Sequence, residues 1–295
     1  MNGIIIINKP ADFTSFDVVA KLRGILKERR IGHSGTLDPM ATGVLPIFIG
    51  SATKIINFIP DSSKEYLASF KLGLTTNTQD ITGEILSQTD VNSVAYNDLK
   101  YTVDKFIGDI KQIPPMFSAV KINGKRLYKL ARQGVTVERK PRSVNIKSID
   151  IIEFNGIEGV LKVSCSKGCY IRTLVHDIGE ILKCGGVLTA LERTRAGCFK
   201  LKDSVDLLNF PSPVSLLPID TPLLEYNKII LNEAQKTMFQ NGVKLDIKRI
   251  PSLKSTNYES IFRFYSKDDL FIGLAKPNGD KLEILKLIRD YCSLD

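Results

Sequence analysis

The sequence predicts an α+β chain that ends in a small β-rich unit, and three observations carry this. Strand-like and helix-like stretches alternate without the regular βαβα order of a doubly wound fold. Prolines cluster at 211, 213, 218 and 222, a linker signal. From there to residue 295 the chain consists mainly of short strand-like pieces, which suit an accessory domain or a lid on the main one. With 295 residues there is room for one large domain or for a large and a small one.

The elements follow in chain order. "GIIIIN" at the start reads as a buried strand. In "TSFDVVAKLRGILKERR" a cap at Thr14 or Ser15 precedes Val18, Val19, Leu22, Ile25 and Leu26 at helical spacing, so a helix runs to about Lys27. Residues 29–50, "RRIGHSGTLDPMATGVLPIFIG", are a glycine-rich loop backed by a buried strand, "VLPIFIG". "KEYLASFKLGL" alternates as a strand and "NDLKYTVDKFIG" is helical. "SVNIKSIDIIEF" and "GVLKVSCS" form a strand pair turning near Asn155-Gly156. "YIRTLVHDIGEILK" is an amphipathic helix, and "VLTALERTRAGCFKL" is a further strand. After the prolines, "YESIFRFYS", "DLFIGLAKP" and "KLEILKLIRDY" are strands, with a turn at 278–280.

Bulk properties narrow the function classes. Hydrophobic residues make up 43% and charged residues 25%, as in ordinary globular proteins. No apolar run approaches the roughly 20 residues that span a bilayer. The N-terminus lacks the charged region and long apolar run of a signal peptide, so a cytosolic protein is expected. Cys165, Cys169, Cys184, Cys198 and Cys292 contain no C-x-x-C pair, and His33 and His176 are the two histidines. That set does not make a structural zinc site and reads as reduced, packed thiols.

The net charge is +9, concentrated in residues 121–147, where nine Lys or Arg stand against Glu138. A basic run is most often a solvated face. At this density, interleaved with Tyr128, Gly and Pro, it reads as a phosphate-contacting element for nucleic acid.

Two readings compete for the chemistry of the 29–50 stretch. Gly32-His33-Ser34-Gly35 begins like a nucleophile elbow, but Thr36 stands where the closing glycine belongs. His176, the one base available in hydrolase order, lies inside a helical pattern, so a serine hydrolase is disfavoured. No Walker or Rossmann glycine pattern is present. Asp38 is flanked by Gly32, Gly35 and Gly43 and followed by Pro39, which lets backbone approach a ligand while the proline fixes one side of the carboxylate. Alone, such an Asp-Pro pair is a turn or a helix cap.

The wider motif set changes that. "GHSGTLDPMATGVLP", "KEYLASFKLGLTTNTQDITGEI", "QIPPMFSAVKINGKRLYKLARQG", "CSKGCYIRTLVHDIGE" and "LTALERTRAGCF" occur in this order along the chain. Together they closely resemble the motifs of the TruB type of the pseudouridine synthase family, the bacterial tRNA pseudouridine-55 synthases. The resemblance implies a pseudouridine synthase fold: a mixed, largely antiparallel sheet with flanking helices, plus a small PUA-like domain. It places a catalytic domain at 1–222, with a basic insertion at about 114–147 that clamps the tRNA T loop and is ordered by RNA, and the PUA-like RNA-binding domain at 223–295.

The implied activity is conversion of uridine 55 to pseudouridine in the tRNA T arm, by a monomer that needs no cofactor, metal, membrane or protein partner. Asp38 is then the catalytic carboxylate and Arg172 its partner, since a nearby guanidinium favours the charged carboxylate. Tyr66 occupies the active-site tyrosine position, where it stacks on the uracil and helps move the C5 proton. Tyr170 lines the pocket, Leu191 walls it, and His33 fills the space left by the flipped base. Lys125, Arg126 and Lys129 contact RNA phosphates. The rival expectation is a non-catalytic tRNA-binding or chaperone protein of the same fold.

Overall fold

A computed structural model describes residues 1–91, 93–122, 124–211, 213–253 and 260–289. Cys292 and the outer ends of the predicted pieces at 258–266 and 281–291 lie outside the described residues.

β1 (Gly3–Lys9) is buried on both faces, as its run of isoleucines requires. α1 (Ser15–Leu26) begins at Thr14, whose Oγ1 accepts from the Asp17 amide at 3.1 Å while the Asp17 carboxylate accepts from the Thr14 amide at 2.9 Å. Val18, Val19 and Leu22 face the core, each contributing roughly 1.5–3 kcal/mol of burial. The helix stops at Lys27, which is left-handed (φ 53°). β2 (Ile31–His33) and β3 (Thr42–Ile49) pair antiparallel and enclose a loop, residues 34–41. β2 falls within the stretch expected as loop, because a three-residue strand with one buried side chain has no period to detect.

β4 (Lys64–Leu72) sends Tyr66, Ala68, Phe70 and Leu72 to one buried face. β5 (Leu74–Thr76) and β6 (Ile85–Gln88) form a hairpin, followed by α2 (Tyr96–Asp104) and β7 (Gly108–Gln112). The basic segment contains β8 (Lys121–Ile122), β9 (Lys125–Arg126) and α3 (Leu127–Ala131). β10 (Arg142–Phe154) and β11 (Glu158–Cys165) are the expected antiparallel pair. α4 (Ile171–Ile181) then leads to β12 (Gly186–Ala196), β13 (Phe199–Lys200) and β14 (Val205–Asp206). The single strand expected over 187–201 is divided. Gly197 turns the chain at φ 57°, and β13 folds back on the end of β12.

Ten of these strands make one sheet whose main path runs β14-β1-β3-β12-β4-β11-β10-β7. The β1–β14 and β3–β12 contacts are parallel and the rest antiparallel, so the sheet is mixed and largely antiparallel. One face packs under α1 and α4 through Leu22, Leu45, Phe70, Leu174 and Ile178. α4 lies close on β12 because Gly179 and Gly186 meet: a Cβ on Gly179 would fall 2.2 Å from the Gly186 nitrogen.

The last strands are β15 (Asn227–Ile230), β16 (Phe262–Tyr265), β17 (Phe271–Asn278) and β18 (Lys281–Leu287), forming a four-stranded sheet. Leu274 and Ile288 of this region pack with Ile4, Ile6, Val44 and Phe48 on the other face of the large sheet. Between β15 and β16 lies α5 (Glu233–Gln240), a helix in a region expected to consist mainly of short strands. It buries Phe239 alone, so its signal is the Asn232–Gln235 capping box and not an apolar stripe.

Candidate active site

The 34–41 loop is fixed on both sides by two fully buried cations. Lys9 donates from Nζ to the carbonyls of Pro10 (2.7 Å), Phe13 (2.6 Å) and Pro39 (3.0 Å). Arg193 donates from Nε to Val44 O (2.7 Å), from Nη2 to Gly35 O (3.1 Å) and from Nη1 to Thr36 O (3.4 Å). Gly43 is needed for this approach: its φ is 98°, and a Cβ there would fall 2.3 Å from Arg193 O. The loop is further tied to α1, where the Leu37 amide donates to Ser15 Oγ at 2.9 Å. The Asp12 amide donates to Pro39 O, and the Ala41 amide to Asp38 O at 3.1 Å. Asp38 therefore sits on backbone held before and after it. Burial pushes the Lys9 ammonium down to about 8, against the pull of Asp38.

Arg172, in the first turn of α4, meets Asp38 from the other side. Its Nε lies 2.9 Å from Asp38 Oδ2. Nε makes no aligned hydrogen bond, so the contact is a charge pair and not a directed N–H···O bond. The guanidinium is oriented by its other nitrogens. Nη1 donates to Thr78 O at 2.8 Å and lies 3.4 Å from Asp80 Oδ2, and Nη2 donates to Phe117 O at 2.9 Å. Asp80 is held in turn by Thr78 Oγ1 (2.8 Å), the Thr82 amide (3.1 Å) and Thr82 Oγ1 (2.6 Å). The Arg172 side chain is 4% exposed while that of Asp38 is 36% exposed. The cation is thus built into the protein and the carboxylate faces outward from it.

Tyr66 lies opposite Arg193 in the β4–β12 register, and Ala68 lies opposite Leu191. Alternation then puts Tyr66, Leu191 and Arg193 on one buried face. Burial pushes the Tyr66 phenol up to about 12, outweighing the opposing pull of Arg193, and the same burial lowers Arg193. Tyr170 precedes α4 and is clamped by Gln112, which accepts from its amide at 3.0 Å and donates to its carbonyl at 3.2 Å. Burial also raises the Tyr170 phenol, with Asp38 and Arg172 among the charges that act on it. His33 ends β2; burial and then Arg193 push its imidazole down, and Nδ1 is buried without a hydrogen-bond partner. Ser34 is pinned by its amide to Pro46 O at 3.2 Å and has no base beside it among the described hydrogen bonds.

Lys125, Arg126 and Lys129 are exposed on β9 and α3, away from the buried group. Arg126 donates toward Tyr128 Oη at 3.5 Å, and the Arg132 guanidinium stands 5.7 Å from the Tyr128 ring. The root of this segment reaches the site through Phe117, whose carbonyl holds Arg172.

Sequence reasoning singled out Asp38, Arg172 and Tyr66 but missed Lys9, Asp80, Gln112 and Arg193. Two of the four carried a readable signal. Lys9 falls on the same alternation as Ile5 and Ile7 in the first strand, and Arg193 on the same alternation as Leu191, where a solvent-facing charge is not expected. Asp80 and Gln112 come from distant segments and carried none.

Comparison with known proteins adds an independent line. The model for "TruB family pseudouridylate synthase (N terminal domain)" matches residues 23–171, and that for "tRNA pseudouridylate synthase B C-terminal domain" matches residues 172–212. The chain is 42% identical over 291 residues to the tRNA pseudouridine synthase B of Clostridium tetani (strain Massachusetts / E88), covering 98% of this chain and 100% of the relative. It is 42% identical over 290 residues to the protein of that name from Clostridium kluyveri (strain ATCC 8527 / DSM 555 / NBRC 12016 / NCIMB 10680 / K1), with 97% and 99% coverage. Among solved structures, a chain in the crystal structure of a Cbf5-Nop10-Gar1 complex superposes with a TM-score of 0.73 at 24% identity, covering 97% of this chain and 84% of that one. That likeness is one of fold.

Proposed function

This chain belongs to the TruB family of pseudouridylate synthases, and from that premise we propose that it converts uridine to pseudouridine at position 55 in the T loop of tRNA. The C1′–N1 glycosidic bond breaks, the uracil turns, and C5 joins C1′, while the proton leaving C5 is balanced by one gained at N1. Atoms and oxidation states are conserved, so the chemistry calls for no redox cofactor.

The observation that supports this reading best is the pairing of an outward-facing carboxylate, Asp38, with a buried, fully oriented guanidinium, Arg172. Asp38 is the catalytic carboxylate, acting on a nucleoside turned out of its stack. Arg172 holds it aimed, so no reorientation is needed during the reaction. Everting the base costs a few kcal/mol. Stacking on Tyr66 offsets about 1–3 kcal/mol of that. With its phenol pushed up to about 12, Tyr66 stays neutral under working conditions and is able to carry a proton. Tyr170 and Leu191 bound the same pocket, and His33, held neutral, fills the gap in the loop stack. Lys125, Arg126 and Lys129 take T-arm phosphates.

We read the active unit as a monomer working in the cytoplasm. Among the described residues no helix is long and apolar enough to cross a membrane. The test is incubation of the purified protein with an unmodified T-arm transcript, followed by mapping of pseudouridine. Product confined to position 55 supports the reading, and unmodified RNA refutes it.

A further inference from the structure

Four cations surround the 34–41 loop, and three of them are each held by three or more acceptor groups. Lys9 gives its three N–H groups to three carbonyls. Arg193 spends its donors on Gly35, Thr36 and Val44. Arg172 faces two carboxylates and two carbonyls. The fourth is Lys64.

Lys64 opens β4 two residues before Tyr66, so both side chains leave the same side of the strand. Its chain runs over Gly35: a Cβ there would lie 3.1 Å from Lys64 Cε, 3.5 Å from Nζ and 3.6 Å from Nη1 of Arg193. The ammonium is thus set against the Asp38 loop beside another cation. Its one hydrogen bond among the described residues is a long one, 3.3 Å to Ser62 O, and it makes no ion pair among them. Burial and then Arg193 push its pKa down, outweighing the opposing pull of Asp61, with which it makes no direct ion pair. With three donors and one weak acceptor, Lys64 has two N–H groups to spare. Gly35, at φ 83°, has no side chain of its own to come between Lys64 and the loop backbone.

We propose that Lys64 binds a non-bridging phosphate oxygen of the RNA linkage beside the everted uridine, an inference that rests on the function proposed above. The anionic groups of an entering RNA strand are its phosphodiesters, and a nucleotide stacked on Tyr66 carries one on each side. One of them falls next to the side chain two residues before Tyr66 on the same strand face. The contact gives Lys64 a directly bonded anion, and it fixes the sugar of the everted nucleotide relative to Asp38. Lys64 is therefore a positioning residue. It is distinct from Lys125, Arg126 and Lys129, which lie in the exposed basic segment.

The experiment pairs protein and RNA changes. T-arm hairpins carrying a single neutral methylphosphonate at each linkage in turn are bound to wild-type protein, Lys64→Met and Lys64→Arg. For wild type, one linkage flanking the uridine is expected to lose about tenfold in affinity when neutral, the size of one charge-assisted hydrogen bond. Lys64→Met is expected to lose the same factor with all-phosphate RNA and nothing more at that linkage. Its log Kd against log salt is expected to be shallower by about 0.7, with Lys64→Arg close to wild type.

Penalties that simply multiply at every linkage would overturn the contact. Wild-type tolerance of neutral linkages on both sides of the uridine would overturn it as well, with no variant involved. Pseudouridine formation on the all-phosphate hairpin is scored separately, so that absence of product counts against the enzymatic reading while the binding cycle still reports on Lys64.

Discussion

Arg172 stands between two carboxylates, with Nε 2.9 Å from Asp38 Oδ2 and Nη1 3.4 Å from Asp80 Oδ2. Asp80 is buried and tied to Thr78 and Thr82, so it orients the guanidinium and never reaches the cleft itself. Asp80→Asn keeps the shape and removes the charge. The expected result is a single-turnover rate lowered about 10- to 100-fold, the equivalent of about 1.5–3 kcal/mol, with RNA affinity little changed. Quench-flow measurement at saturating RNA checks this, and an unchanged rate would separate Asp80 from Arg172's function.

Arg193 donates to three carbonyls, those of Gly35, Thr36 and Val44. Arg193→Met should remove the guanidinium donors from all three, destabilising the protein by about 3–5 kcal/mol. Arg193→Lys should fall between, because one ammonium does not span Gly35 and Val44 as a planar guanidinium does. Calorimetric melting of the three proteins provides the comparison, with Arg193→Met expected to melt about 10 °C lower.

Tyr66 gives a pH signature. Its phenol rises from 10.0 in the unfolded chain to about 12 when folded, so between those values the unfolded chain has released a proton that the folded protein keeps. Stability due to Tyr66 is intact below pH 10 and is lost as pH climbs toward 12, by roughly 3 kcal/mol in all. Lys9, lowered to about 8, contributes with the opposite sign between about 8 and 10.5. The wild-type minus Tyr66→Phe difference removes that contribution. Urea unfolding of both proteins from pH 8 to 11 should show the gap between them narrowing above pH 10.

The basic segment should act through charge alone. Lys125, Arg126 and Lys129 are exposed and make no ion pairs among the described residues. Replacing all three with Ala should weaken T-arm binding and flatten the slope of log K against log salt by about 2. A slope equal to wild type would remove them from the RNA interface.

Much of this molecule is legible in the sequence, and what escapes does so for identifiable reasons. α1 is readable because Thr14, Asp17 and the spacing of Val18, Val19 and Leu22 all agree. β1 and β4 are readable by run and by alternation. The hairpin of β5 and β6, with Ile85 and Leu86 exposed, and α5, with a single buried residue, lack a period to detect. In the site, glycines and a proline drew attention to Asp38, and motif resemblance brought Tyr66 and Arg172 to it. The supports are different in kind. Asp80 and Gln112 act across 92 and 58 residues of chain, a distance that only the folded sheet closes.

Asp38 is the carboxylate proposed to react, and its charge is the property to remove. Asp38→Asn preserves size and backbone while removing the charge that Arg172 faces. On an unmodified T-arm transcript this variant should bind RNA with an affinity close to wild type and form no detectable pseudouridine under conditions where wild type reaches completion. Equal product from both proteins would contradict the account, and a wild-type protein that binds the RNA without modifying it would make this a tRNA-binding or chaperone protein.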